Sequence, residues 1–148
     1  MLLNDFFTIL AVDGETSLFG GGGDSPGGGA DFIGGEHTFK VGLGLNGRHR
    51  IFEGHFPGQP VVPGACLLQM VKEVTGTILA SELRLQRADH CKFIALIDPD
   101  EDNILEMTLT IRSKEEGWVS VSANLLNNAA VCFKFSGAFR ILGASDIG

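Results

Sequence analysis

The chain has 148 residues, a size that fits one compact domain and leaves little room for a second independent core. Eighteen acidic against eleven basic residues give a formal charge of -7, the wrong sign for a protein that must neutralise phosphates, so nucleic acid is excluded as an expected partner. No apolar run approaches the roughly 20 residues that span a bilayer. The opening Met-Leu-Leu-Asn-Asp-Phe-Phe has no basic residue, and the three widely spaced cysteines, Cys66, Cys91 and Cys132, suggest neither a disulfide framework nor a zinc site. These features predict a soluble, cytoplasmic protein with no membrane span and no bound metal.

In chain order, Phe6 to Val12 suits a short strand, and Thr38 to Leu45 alternates with period two like a strand with one buried face. Between them, ten of the 22 positions from Gly14 to Gly35 are glycine, a composition with high backbone entropy and little side-chain surface to bury. It has no Lys-Ser/Thr after its glycines and leads into no helical pattern, as a phosphate cradle would, so a flexible insert at about 14–35 in a hairpin is expected. Pro63 then opens a helix running through Leu79, apolar on most sides and therefore expected to be buried. Leu83 to Ile97 is extended in character, Asp98 to Asn103 is a turn cluster, and Ile104 to Arg112, Trp118 to Leu126 and Ala130 to Ile141 read as strands. Lys114 to Gly117 and Asn127-Asn128 separate the last three with residues that favour tight turns, which predicts consecutive antiparallel pairing. One apolar helix and five or six strands bury each other if a curved antiparallel sheet wraps around the helix, an α+β single domain spanning 1–148.

The chemistry lies in the segment Gly-His-Phe-Pro-Gly-Gln-Pro-Val-Val-Pro-Gly from Gly54 to Gly64. Pro57, Pro60 and Pro63 stiffen the loop, Gly58 permits close backbone approach, and Gly64 offers an N–H near the positive end of the helix dipole, where a developing oxyanion could be held. Taken alone, the string reads as a rigid turn with a structural histidine. As a whole, from His55 to Gly64, it resembles the signature loop of the 3-hydroxyacyl-acyl-carrier-protein dehydratases of fatty-acid synthesis, a hot-dog-fold family. Lys92-Phe93 and Pro99-Asp100 are similar to that family's strand and turn lining the acyl channel, and the resemblance covers most of residues 36 to 140.

The resemblance implies a hot-dog fold and a dehydratase that removes water from a 3-hydroxyacyl thioester. His55 would take the proton beside the thioester carbonyl, the Gly64 N–H would stabilise the enolate oxygen, and Phe56, Pro57, Gly58 and Phe93 would contact the substrate. It also implies delivery by an acyl carrier protein, a homodimer with shared active sites, and no cofactor. The family's helix acid, a Glu or Asp from the other subunit, falls on Gln69 here, and an amide has no titratable proton to give. Three remedies stay open: His55 shuttles the proton, Glu73 one turn on reaches in, or dehydration has been abandoned. Glu73 lies roughly 6 Å further along the helix axis, which favours a helix-surface or interface charge over a reserve acid. Thioester hydrolysis, with Gln69 positioning a water, and a non-catalytic acyl-binding or partner subunit are the alternative readings.

Asp89-His90-Cys91 alternates across a strand and cannot easily converge on one ligand, while His37 and His49 fall in or beside polar turns where solvent exposure is expected. Because an acyl carrier protein is acidic, an acidic partner needs a local basic patch, which Arg84, Arg87 and Lys92 could form, although for each of them singly scattered surface charge is the favoured reading.

Overall fold

The computed structural model describes residues 4–14, 35–49, 62–98, 104–113 and 117–142. Among the described residues, six strands, β1 (Phe7–Gly14), β2 (Glu36–Leu45), β3 (Glu82–Phe93), β4 (Ile104–Ser113), β5 (Trp118–Asn127) and β6 (Ala130–Leu142), accompany one helix, α1 (Gly64–Leu79). The strands form a single sheet in the order β1-β2-β4-β5-β6-β3, antiparallel at every step. This is the α+β architecture, an antiparallel sheet with a helix packed on it, that the hot-dog resemblance implies.

Period-two patterning sets the sheet's inner face. Val41 and Leu43 of β2, Leu105, Met107, Leu109 and Ile111 of β4, Val119, Val121 and Leu125 of β5, and Phe133, Phe135 and Phe139 of β6 are all buried in one cluster with Met70, Val71 and Val74 of α1. Each large apolar side chain so buried contributes about 1.5–3 kcal/mol. Pairing of Phe39 with Leu109 and of Leu109 with Ala123 keeps these inward positions in register across three strands. The last hairpin closes through Asn128 and Ala129, both with positive φ (54° and 69°), one residue beyond the expected Asn127-Asn128 pair.

Pro63 precedes α1 in an extended conformation, and its carbonyl accepts from the Cys66 and Leu67 N–H groups. At the other end Ala80 turns left-handed, with its N–H on the Thr77 carbonyl and that of Ser81 on the Gly76 carbonyl, which stops the helix. The helix is buried on its sheet side, but it is not enclosed all round as its apolar composition suggested. Ala65 and Thr77 are exposed, because no element among the described residues covers that side.

Three expectations change in detail. The strand predicted over Leu83 to Ile97 stops at Phe93, where the N–H groups of Ile94 and Ala95 both turn onto the Cys132 carbonyl, while Ile97 is drawn inward by the bond from the Val62 N–H to its carbonyl. His49 is not solvated: its side chain is 12 % exposed, with Nε2 3.0 Å from Oδ2 of Asp5 and its ring edge-on to Phe6. His37 lies within β2 and is half-buried, since that strand begins two residues earlier than its alternation indicates. The predicted insert lies, apart from Gly14 and Gly35, outside the described residues, as do most of the Asp98–Asn103 turn and residues 114–116.

Strand β3 departs from its neighbours. It closes the sheet as an edge, carries two register shifts against β6, and is exposed at eleven of its twelve positions. A Cβ at Gly137 would collide with the Arg87 carbonyl, so only glycine allows β6 to approach the irregular stretch of β3.

Candidate active site

Two features of α1 form the candidate site. The first is the start of the helix. Pro63 has no side-chain acceptor to cap it and no acid stands in the first turn, so the helix's own side chains leave its positive end uncompensated at Gly64. Phe93, at the end of β3, stacks on Phe133 with ring centroids 5.0 Å apart and reaches across to the helix start. A Cβ on Gly64 would lie 2.8 Å from Cε1 of Phe93, so the glycine is what admits the ring. Gly64 and Phe93, predicted to serve oxyanion and substrate, are thus brought into contact. His55, Phe56, Pro57 and Gly58 lie outside the described residues.

The second feature lies on the side of α1 turned away from the core. A cavity of about 330 Å³ is bounded by Gln69, Lys72, Glu73, Gly76 and Thr77 of the helix and by Ser81, Glu82 and Leu83 where the chain enters β3. The Gln69 amide donates from Nε2 to Oε2 of Glu73 at 2.6 Å. Glu73 is only 8 % exposed, so of the two readings expected of it, helix-surface or interface charge, the first does not hold. The physical reason is that helical side chains lean back toward the N-terminus. The 6 Å rise separates the backbones at 69 and 73, but the functional groups meet. A carboxyl is seldom buried without a hydrogen-bond partner, and Gln69 supplies one.

Lys72, Gly76, Ser81 and Glu82 also border this cavity, and none was singled out by the sequence. A signal was present: Gln69, Lys72, Glu73 and Gly76 follow the i, i+3, i+4, i+7 spacing of one helix face, a polar or small stripe in an otherwise apolar helix.

Among the described residues no three His, Cys, Asp or Glu side chains gather as a metal would require, and no helix is long and apolar enough to cross a membrane. None of the three cysteines is in a disulfide. Cys66 lies near the helix start, where the dipole favours a thiolate, yet burial pushes its thiol up, so desolvation wins there. On β3, Asp89 pairs with Arg87 at 2.7 Å and holds its guanidinium charged to higher pH, first through their hydrogen bond and then through charge. Arg87 is therefore locally neutralised. Register places Arg84 opposite Arg140 and Lys92 opposite Lys134, so the exposed cations of this edge belong to β6 as well as β3.

A model of the ApeI-like family, described as ApeI dehydratase, matches residues 34–132, roughly two thirds of the chain. The chain belongs to this family. Similar proteins include the 3-hydroxyacyl-[acyl-carrier-protein] dehydratase FabZ of Ruegeria sp. (strain TM1040), 29 % identical over 102 residues that cover 62 % of this chain and 54 % of the relative. The same enzyme of Hydrogenobaculum sp. (strain Y04AAS1) is 29 % identical over 91 residues, 53 % of this chain and 62 % of the relative. The chain therefore spans little more than half the length of the curated relatives it matches. Among solved structures, the dehydratase heterocomplex ApeI:P from Xenorhabdus doucetiae aligns at TM-score 0.52 and 21 % identity over 70 % of this chain and 87 % of that one. The putative thioesterase yhdA from Lactococcus lactis aligns at TM-score 0.61 and 8 % identity over 94 % and 96 %. These likenesses fix the hot-dog fold, which hosts both chemistries. The family match places the chain with dehydratases.

Proposed function

We propose that the chain is a cytoplasmic 3-hydroxyacyl thioester dehydratase of fatty-acid type, acting as a homodimer on chains delivered by an acyl carrier protein. His55 removes the proton at C2, the Gly64 N–H takes the charge that develops on the thioester oxygen, and Phe56, Pro57, Gly58 and Phe93 enclose the acyl chain. The observation that carries this reading is the meeting of Gly64 and Phe93 at an uncapped helix start. An N–H donor at a helix's positive end, beside an apolar ring, is suited to an oxyanion on an acyl substrate.

Pairing of two copies is supported by β3. Leu85 and Phe93 stand opposite the buried Phe139 and Phe133, so they extend the inner apolar layer, yet they are 36 % and 55 % exposed. An unpaired edge beside an unfinished apolar layer is what a second copy would cover. Carrier-protein docking is supported by the like-charged pair Lys92–Lys134, because cations facing each other across strands favour an anionic partner.

The test is the product formed from 3-hydroxyacyl carrier protein. The 2-enoyl thioester is expected, and His55→Ala should reduce its formation about 10²–10⁴-fold without unfolding the domain. Free acid with liberated thiol would replace this reading by hydrolysis, and acyl binding without turnover would replace it by a non-catalytic partner subunit.

A further inference from the structure

We infer that Glu73, held by Gln69 and brought to the site by the second copy of the homodimer, is the acid that protonates the leaving hydroxyl; this rests on the dehydratase reading above. Elimination requires two proton transfers. His55 takes a proton from C2 as the C2–C3 double bond forms, and the C3–O bond breaks only as that oxygen receives a proton and departs as water. Gln69 stands where a donor is wanted but has none to give.

The hydrogen bond at 2.6 Å brings a carboxyl to the same point, so a hydroxyl presented to the end of Gln69 lies about one hydrogen-bond length from Glu73. Access is provided by the cavity, whose wall both side chains form. Burial at 8 % exposure removes most of the competing water. Gln69 also selects which oxygen acts. Its N–H is given to Oε2, which must accept, so in the protonated acid the proton resides on Oε1.

After transfer, Glu73 is a carboxylate steadied by the same amide, and His55 is an imidazolium. Exchange with water returns one proton to Glu73 and takes one from His55, closing the cycle with water as the only by-product. Gln69 touches the acid and orients it, so it is a positioning residue, while Glu73 meets the substrate.

The experiment measures kcat and KM of the full chain with 3-hydroxyacyl carrier protein for wild type, Glu73→Gln and Gln69→Ala, each with a thermal melt. Glu73→Gln should lower kcat about 10²–10⁴-fold while KM holds. Gln69→Ala should lower kcat about tenfold with KM unchanged, because a misdirected acid costs rate rather than binding. Wild-type turnover retained in folded Glu73→Gln overturns the inference and leaves the dehydratase reading standing. No enoyl product from wild type defeats that reading, and this inference with it. Should Glu73→Gln fail to fold, Gln69→Ala decides: a raised KM at unchanged kcat overturns the proposal.

Discussion

Toward the sheet, α1 presents Met70, Val71 and Val74, each fully buried among apolar neighbours. On its other side stand Gln69, Lys72 and Glu73 around a cavity. The inner side and the Glu73 carboxyl on the outer one are both withdrawn from water, but for different reasons. The inner side is held by transfer of apolar surface, which any well-fitting hydrophobic set would provide. Packing gives no account of a buried carboxyl, because an apolar residue of similar size would avoid the desolvation that Glu73 incurs. The contrast separates residues that hold the fold from those whose chemistry explains their presence.

Substitutions on the two sides should therefore fail differently. The largest effect is expected from Met70→Ala, which leaves a hole at a fully buried position and should cost about 2–5 kcal/mol of stability by denaturant unfolding. Turnover per folded molecule should not change. Loss of turnover below the melting range would show that the inner side also shapes the site. At the helix start the opposite pattern is expected from Gly64→Ala. The added methyl meets the Phe93 ring, not backbone, and that half-exposed ring can shift, so stability should move by less than about 1 kcal/mol. Displacing the ring beside the helix start should lower kcat/KM about 10²-fold in the enoyl assay. Equal turnover in wild type and variant would remove Phe93 and Gly64 from the machinery.

How far each region could be read from the sequence follows the same division. Strands β2, β4, β5 and β6 were legible almost to the residue because alternation is local and one face of each is buried. The helix was legible from Pro63 and its apolar density. The Gln69–Glu73 contact was not, because axial rise says where backbones are and not where side chains end. His49 was misjudged because Asp5 lies 44 residues away, beyond any local pattern. The exposure of Leu85 and Phe93 was equally hidden, since their inward register implies burial that a single chain does not supply.

The smallest effect is expected where the two sides of α1 end together. Ala80 stops the helix at φ 52° and ψ 42°, a left-handed conformation, and the N–H of Ser81 bonds back to the Gly76 carbonyl at 3.0 Å. Alanine in that conformation costs about 1–2 kcal/mol because its Cβ crowds the following carbonyl. Glycine would remove the strain but give the unfolded chain about 0.4–1 kcal/mol of extra freedom. Ala80→Gly should therefore stabilise by about 0.5–1 kcal/mol, a rise of about 1–4 °C in the melting midpoint of a domain this size. Gly76 and Ser81 both border the cavity, so unchanged turnover together with the higher midpoint would show that the site depends on where the helix stops and not on strain at the stop. A lower midpoint would instead mean that Ala80 packs well enough to outweigh its backbone strain, and the end of α1 would then join its inner side as a packed element.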